Sequence, residues 1–293
     1  MKYVSYVHNG IESYGALYNG AVYPARELSR GAPGSLLEFI IDGAEFDRDA
    51  ASFANASPIP LSNIKLRAPI PTPRREIICL GKNYADHANE VKVTAPSGGA
   101  LPSEPVYFGK SALSVIGCGD TIPLHENVTS MLDYECELAV VIGKKCVDIR
   151  VEDAYDYVFG YTVLNDVTAR DLQTKHGQWY LGKGLAGFCP IGPVIADRRE
   201  IPFPDRLSIR SRVNGEPRQD ANTRSMIFTI PYVISQLSHG FGLYPGDIIA
   251  TGTPAGVGHG FDPPKNLRRG DTVECEIEGI GVLVNTVGGG ADE

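Results

Sequence analysis

The chain has 293 residues, 43% of them hydrophobic and 21% charged, with a net charge of −8. This length can bury a sizeable core in one large domain or two unequal ones, and the composition excludes a disordered chain. No Lys/Arg block tracks a phosphate backbone, so nucleic acid is not an expected partner. No run of ~18 apolar residues is present, so no membrane is expected either, and the N-terminus lacks a basic region followed by an apolar stretch. The expected location is cytoplasmic.

Thirty-three Gly and twenty-one Pro predict many turns and a strand-rich fold. In chain order, Lys2–Val7 and Ala16–Tyr23 read as short strands and Leu36–Ile41 as a helical turn or two. The run Ala68-Pro69-Ile70-Pro71-Thr72-Pro73 is a linker candidate, because proline fixes its own φ and extends its predecessor. It divides a small N-terminal domain, residues 1–70, from a larger unit, residues 71–293. Beyond it, Glu76–Leu80 reads as a buried strand and Gly81–Glu90 as a helix. Val91–Glu104, rich in Gly, Pro and Ser, reads as a loop and candidate mobile lid.

Tyr134–Ile142 and Val158–Leu164 follow as strands, and Val167–Lys175 as a helix. Asn222–His239 carries a helical pattern of Ile227, Ile230, Val233, Ile234 and Leu237, with Pro231 in a first turn or at a kink. Asp247–Ala250 and a long, glycine-broken Thr272–Val287 complete the strands. The fold class is therefore mixed α/β and β-rich. The six cysteines form no Cys-x-x-Cys pair and several sit in apolar runs, so reduced, mostly buried thiols are expected.

The segment Asp133-Tyr134-Glu135-Cys136-Glu137-Leu138-Ala139 carries the strongest chemical signal. Residues two apart on a strand share a face, so Glu135 and Glu137 are neighbours whose repulsion a hard cation such as Mg²⁺ or Mn²⁺ would relieve. A solvated strand face is the ordinary alternative. Asp166, in Asn165-Asp166-Val167-Thr168-Ala169-Arg170-Asp171-Leu172-Gln173, falls where an apolar strand gives way to a helix, where it could be an N-cap. Arg170 and Gln173, at i+4 and i+7, would share its helical face.

These segments, together with Leu80-Gly81-Lys82-Asn83-Tyr84-Ala85-Asp86-His87-Ala88-Asn89-Glu90, Trp179-Tyr180-Leu181-Gly182-Lys183, Tyr244-Pro245-Gly246-Asp247 and Thr251-Gly252-Thr253-Pro254-Ala255-Gly256-Val257-Gly258, resemble the fumarylacetoacetate hydrolase superfamily. The six blocks occur in the family's order over residues 77 to 287, and the acylpyruvase branch is the nearer one. The resemblance implies a β-roll catalytic domain, usually homodimeric, with Glu135, Glu137 and Asp166 as ligands to Mg²⁺ or Mn²⁺. It implies a His87–Glu90 dyad that activates water, and Lys183 and Thr253 as groups that bind the substrate carboxylate, beside Arg170 and Gln173. The implied reaction is hydrolysis of the C3–C4 bond of a small 2,4-dioxo acid, giving pyruvate through a metal-stabilised enolate. Isomerisation, dehydration or decarboxylation of a 2-oxo acid is the alternative on the same site.

Overall fold

The computed structural model describes residues 1–47, 53–90 and 101–289. Its N-terminal strands are β1 (Lys2–His8), β2 (Ile11–Tyr18), β3 (Ala21–Pro24), β4 (Ile59–Pro60) and β5 (Lys65–Leu66). There follow β6 (Ile77–Gly81), β7 (Val106–Lys110), β8 (Val115–Ile116), β9 (Thr121–Pro123), β10 (Leu132–Asp133), β11 (Cys136–Ile142), β12 (Val158–Asn165) and β13 (Thr168–Ala169). The remainder are β14 (Cys189–Asp197), β15 (Ser208–Val213), β16 (Glu216–Asn222), β17 (Ile248–Ala250), β18 (Thr272–Ile277) and β19 (Gly281–Gly288).

A twelve-stranded sheet runs β4-β3-β2-β1-β14-β12-β11-β17-β6-β7, with β5 on β1 and β8 on β14. A five-stranded sheet runs β16-β15-β18-β19-β9, and β10 pairs with β13 alone. Lys2 and Tyr3 of β1 pair with Ala196 and Ile195 of β14, so the strands of residues 1–70 extend the large sheet. The Ala68–Pro73 run packs against that region: the Ser5 hydroxyl donates to the Pro69 carbonyl at 2.7 Å and Ile70 is buried. No helix among the described residues is long and apolar enough to cross a membrane.

The central strand is β11, buried along its whole length. Leu138, Val140 and Ile142 join a core with Ile209, Val273, Ile277 and Leu283 of the five-stranded sheet. Ala139 and Val141 point the other way, into a second core with Tyr3, Phe39, Ile40 and Phe46. A strand covered on both faces reads as continuous apolar sequence, which explains the run Leu138–Ile142.

Several elements differ from their sequence expectation. Ala16–Tyr23 is the hairpin of β2 and β3, turning at Asn19-Gly20, both in the left-handed region (φ 49° and 77°). Asn9-Gly10 and Asn214-Gly215 do the same for β1–β2 and β15–β16. Such two-residue turns need positive φ twice, which Asn-Gly tolerates. Thr272–Val287 is likewise a hairpin, β18 and β19. The helix expected over Asn222–His239 covers only Ile230–Gly240, capped by the Thr229 hydroxyl with Pro231 in its first turn, because Asn222 still belongs to β16. The helix expected from Val167 starts at Arg170. All six cysteines are free, five of them buried. Of the expected loop and lid at 91–104, residues 91–100 lie outside the described residues.

Leu138→Ala should cost about 2–5 kcal/mol, because the strand is locked from both sides and cannot collapse onto the void. Denaturant unfolding measures this; a loss under about 1 kcal/mol would contradict the double burial of β11.

Candidate active site

Strand register builds the site. β11 and β12 are antiparallel with Cys136 opposite Asn165, which sets Glu135, just before β11, across from Asp166, just after β12. The Asp166 amide donates to the Glu135 carbonyl at 2.8 Å, and the Glu135 amide to the Asn165 side chain at 3.0 Å. Glu137 lies on the face of Glu135, as strand alternation expects, with Cys136 and Leu138 turned into the opposite core. All three carboxylates are buried, and each offers an oxygen within 4.8 Å of the other two.

Asp166 is not a helix cap. The short strand β13 intervenes, Ala169 is the N-cap of the helix Arg170–Lys175, and Asp166, Arg170 and Gln173 therefore share no helical face. Arg170 reaches the centre by another route. Its guanidinium binds Glu135 at 2.7 Å and Asp133 at 2.8 Å, and Nη1 donates to the Gln173 side-chain oxygen at 3.2 Å.

The Lys183 ammonium bridges Glu135 at 2.9 Å and Asp166 at 2.7 Å. Its glycine neighbour Gly182 makes room for backbone: a Cβ there would lie 2.7 Å from the Gln173 nitrogen. On the other flank, β17 pairs with β11 and carries Thr251-Gly252-Thr253 alongside the carboxylates. The Gly252 amide donates to Glu137 at 2.8 Å. The Thr253 hydroxyl donates to the Cys136 carbonyl at 2.9 Å and accepts from Gln219 at 2.7 Å.

Three participants were not singled out from the sequence. Lys110, fully buried, donates to Asp166 at 2.6 Å and to the Val167 carbonyl at 3.0 Å. Its signal is a lysine two residues after Phe108 on β7, hence on the same face of a strand. Asp133, two residues before Glu135, accepts from the amides of Gly258 and His259 and from Arg170 Nε at 2.9 Å. Gln219 arrives on β16, a strand the sequence reading did not identify.

His87 and Glu90 occupy the helix Ala85–Glu90, with Nδ1 of His87 3.3 Å from the Glu90 carboxylate. Glu90 also takes a bifurcated hydrogen bond from the Gly256 amide at 3.0 and 3.2 Å. One cavity is lined by His87, Glu135, Arg170, Gln173, Lys183 and Thr253, so these six predicted side chains converge, while Glu90, Glu137 and Asp166 are not in its lining. Phe108, Trp179 and Lys82 line it too.

Charge separates the three carboxylates. Burial opposes ionisation of Glu135, but Lys183 and Arg170 outweigh it and hold its carboxyl below the usual range. Burial also opposes the Lys183 charge, yet Asp166 and Glu135 raise its pKa. Glu137 goes the other way: burial, then Asp166 and Glu135, push its carboxyl well above the carboxylate range. No ion pair reaches Glu137 among the described residues, so its charge calls for a proton or a cation. Three hard oxygen donors around such a spot fit Mg²⁺ or Mn²⁺.

The family model for the fumarylacetoacetate (FAA) hydrolase C-terminal domain matches residues 76–288. Oxaloacetate tautomerase YisK of Bacillus subtilis is 51% identical over 266 residues, 87% of each chain. The solved fumarylacetoacetate hydrolase of Exiguobacterium antarcticum is 42% identical with a TM-score of 0.87, covering 99% of both chains. Maleylpyruvate hydrolase of Sphingobium sp. SYK-6, solved with manganese(II) and pyruvate, is 28% identical with a TM-score of 0.79 over 99% of this chain and 100% of that one.

Glu137→Gln tests the electrostatics. A carboxyl whose folded pKa is raised contributes stability below its unfolded pKa, and that contribution is lost as pH climbs towards the folded value. The metal-free wild type should therefore lose thermal stability from about pH 5 to pH 8, while the variant shows a flatter profile and, at pH 8, melts about 2–4 °C higher per kcal/mol relieved. Added Mg²⁺ or Mn²⁺ should raise the melting temperature of the wild type only. An equal rise in the variant would remove Glu137 from the ion site.

Proposed function

The chain belongs to the fumarylacetoacetate hydrolase family, and on that premise we propose that it is a divalent-metal-dependent enzyme forming an enolate from a small 2-oxo acid, with keto–enol tautomerisation of a short 2-oxo diacid as its reaction. The observation that carries this reading is the meeting of Glu135, Glu137 and Asp166 at one point, with Glu135 lining the cavity that also holds Lys183 and His87.

Glu135, Glu137 and Asp166 would hold Mg²⁺ or Mn²⁺, and such an ion, when bound, supplies Lewis-acid stabilisation of negative charge on the 2-oxo oxygen. Lys183, already beside Glu135 and Asp166, would add a fixed positive charge next to the ion's ligands. Arg170, itself held by Asp133, fixes the position of Glu135. With its Nδ1–H donated to Glu90, His87 keeps the lone pair on Nε2, the assignment a general base requires. In the tautomerisation Nε2 takes a proton from C3, and a proton returned to the 2-oxo oxygen completes the enol. The 51% identity to an oxaloacetate tautomerase supports this choice.

A second reading uses the same dyad on water, which attacks the C4 carbonyl of a 2,4-dioxo acid. The C3–C4 bond then breaks to give pyruvate and a carboxylic acid. The likeness to two solved hydrolases supports it. Decarboxylation of oxaloacetate is a third outcome on the same groups. The division at residue 70 is part of the proposal, supported by a family match that starts at residue 76.

A panel of oxaloacetate, acylpyruvates and fumarylpyruvate, followed for enol–keto exchange and for pyruvate release, separates the reactions. Exchange without release is expected on oxaloacetate. Glu135→Ala should abolish turnover and weaken ion binding with the fold intact, and His87→Asn should lower kcat about 10²–10⁴-fold with ion binding retained. Wild-type turnover by Glu135→Ala in chelator-treated buffer would sink the assignment.

A further inference from the structure

We propose that Trp179, backed by Phe108, is the wall that restricts the catalytic cavity to short 2-oxo acids. The inference rests on the enolate-forming reading above and names its substrate class. The catalytic cavity is small, about 30 Å³, whereas a second cavity, lined by Val106, Tyr107, Gly177 and Gln178, holds about 280 Å³. Phe108 and Trp179 line both, as does Lys82, so the two cavities adjoin at this aromatic pair.

Polarity sorts the tail of a 2-oxo acid towards this pair. The polar lining, His87, Glu135, Arg170, Gln173, Lys183 and Thr253, answers the charged and oxo end of such a molecule. An alkyl or acyl tail gains nothing there and is left to the apolar part of the lining, Leu80, Phe108 and Trp179. Leu80 is built into β6 and the core behind it, so growth in that direction is closed. Phe108 and Trp179 instead border the larger cavity, which lies next to the place where the tail stops.

The wall is held at several points. The Phe108 and Trp179 rings meet edge to face with centroids 5.3 Å apart. Trp179 presses on the end of β6, where a Cβ at Gly81 would fall 2.3 Å from the indole, so that backbone must be glycine to admit the ring. The Trp179 carbonyl accepts the Lys183 amide at 3.0 Å, and the Lys183 ammonium stands 5.1 Å from the Phe108 ring centroid. The wall and the ammonium that meets Glu135 and Asp166 are thus one packed unit, which does not part for a longer tail without losing these contacts. Trp179 is its removable member, since Phe108 is fixed in the β6–β7 ladder opposite Cys79.

N-Alkyl oxamates carry the carboxylate and carbonyl of a 2-oxo acid with a tail of chosen length, so they test the wall without turnover. With Mn²⁺ present, calorimetry on the wild type should show oxamate binding about tenfold or more tighter than N-hexyloxamate, because the longer tail overpacks the cavity. Each methylene that finds apolar room is worth about fourfold in affinity, so Trp179→Ala, which opens the larger cavity to the tail, should reverse that order by about tenfold or more. Trp179→Leu, which keeps part of the packing on Gly81, should shift it the same way by less. A wild type that takes N-hexyloxamate as tightly as oxamate, or variants that keep the wild-type order, overturns this inference alone. Variants that no longer bind oxamate would make Trp179 a support of the ion site and not a length limit, which overturns it as well. Failure of the wild type to bind Mn²⁺ and oxamate overturns the enolate-forming reading and this inference with it.

Discussion

Everything at this site depends on one act of registration, Cys136 against Asn165, which brings like charges together in the buried interior. Three carboxylates within 4.8 Å of one another would drive the strands apart if nothing answered them. The answers come from four elements. Lys110 arrives on β7, Arg170 on the helix after β13, Lys183 on the following short helix, and the Gly252 amide from the end of β17. A slip of one residue between β11 and β12 would oppose Asn165 to Glu135 and turn the apolar side chains of β11 to the wrong cores. The two cores that grip β11 thus serve the chemistry by fixing that register.

The same physics organises the loop beyond β17. Asp133 accepts the amides of Gly258 and His259, and Glu90 accepts that of Gly256. Glu90 also packs directly on Gly260, where a Cβ would fall 2.2 Å from its carboxyl. Two carboxylates on separate elements therefore hold one glycine-rich loop. One of them belongs to the dyad, so the position of the His87 helix is coupled to the loop that flanks Glu137.

Much of this was legible in the chain. Strand alternation placed Glu135 and Glu137 together, and the helical spacing of His87 and Glu90 placed the dyad. What sequence could not yield were contacts made across long separations: Lys110 to Asp166, or Gln219 to Thr253. Asp166 shows a subtler limit. Its i+4 and i+7 spacing to Arg170 and Gln173 suggested a shared helical face, yet a two-residue strand intervenes and Arg170 turns to Asp133 and Glu135 instead. Local periodicity cannot report an interruption that tertiary pairing, here β13 against β10, imposes. The missed hairpins had a readable cue in Asn9-Gly10, Asn19-Gly20 and Asn214-Gly215.

Tautomerisation and hydrolysis differ in what His87 deprotonates, carbon or water, and not in how the enolate's charge is met. Glu135, Glu137, Asp166 and Lys183 would serve both equally, so the fixed centre cannot choose between them. The choice falls to whatever decides which atom, carbon or water, would stand before Nε2 of His87, and the walls of the cavity that His87 shares with Lys183, Phe108 and Trp179 would set it.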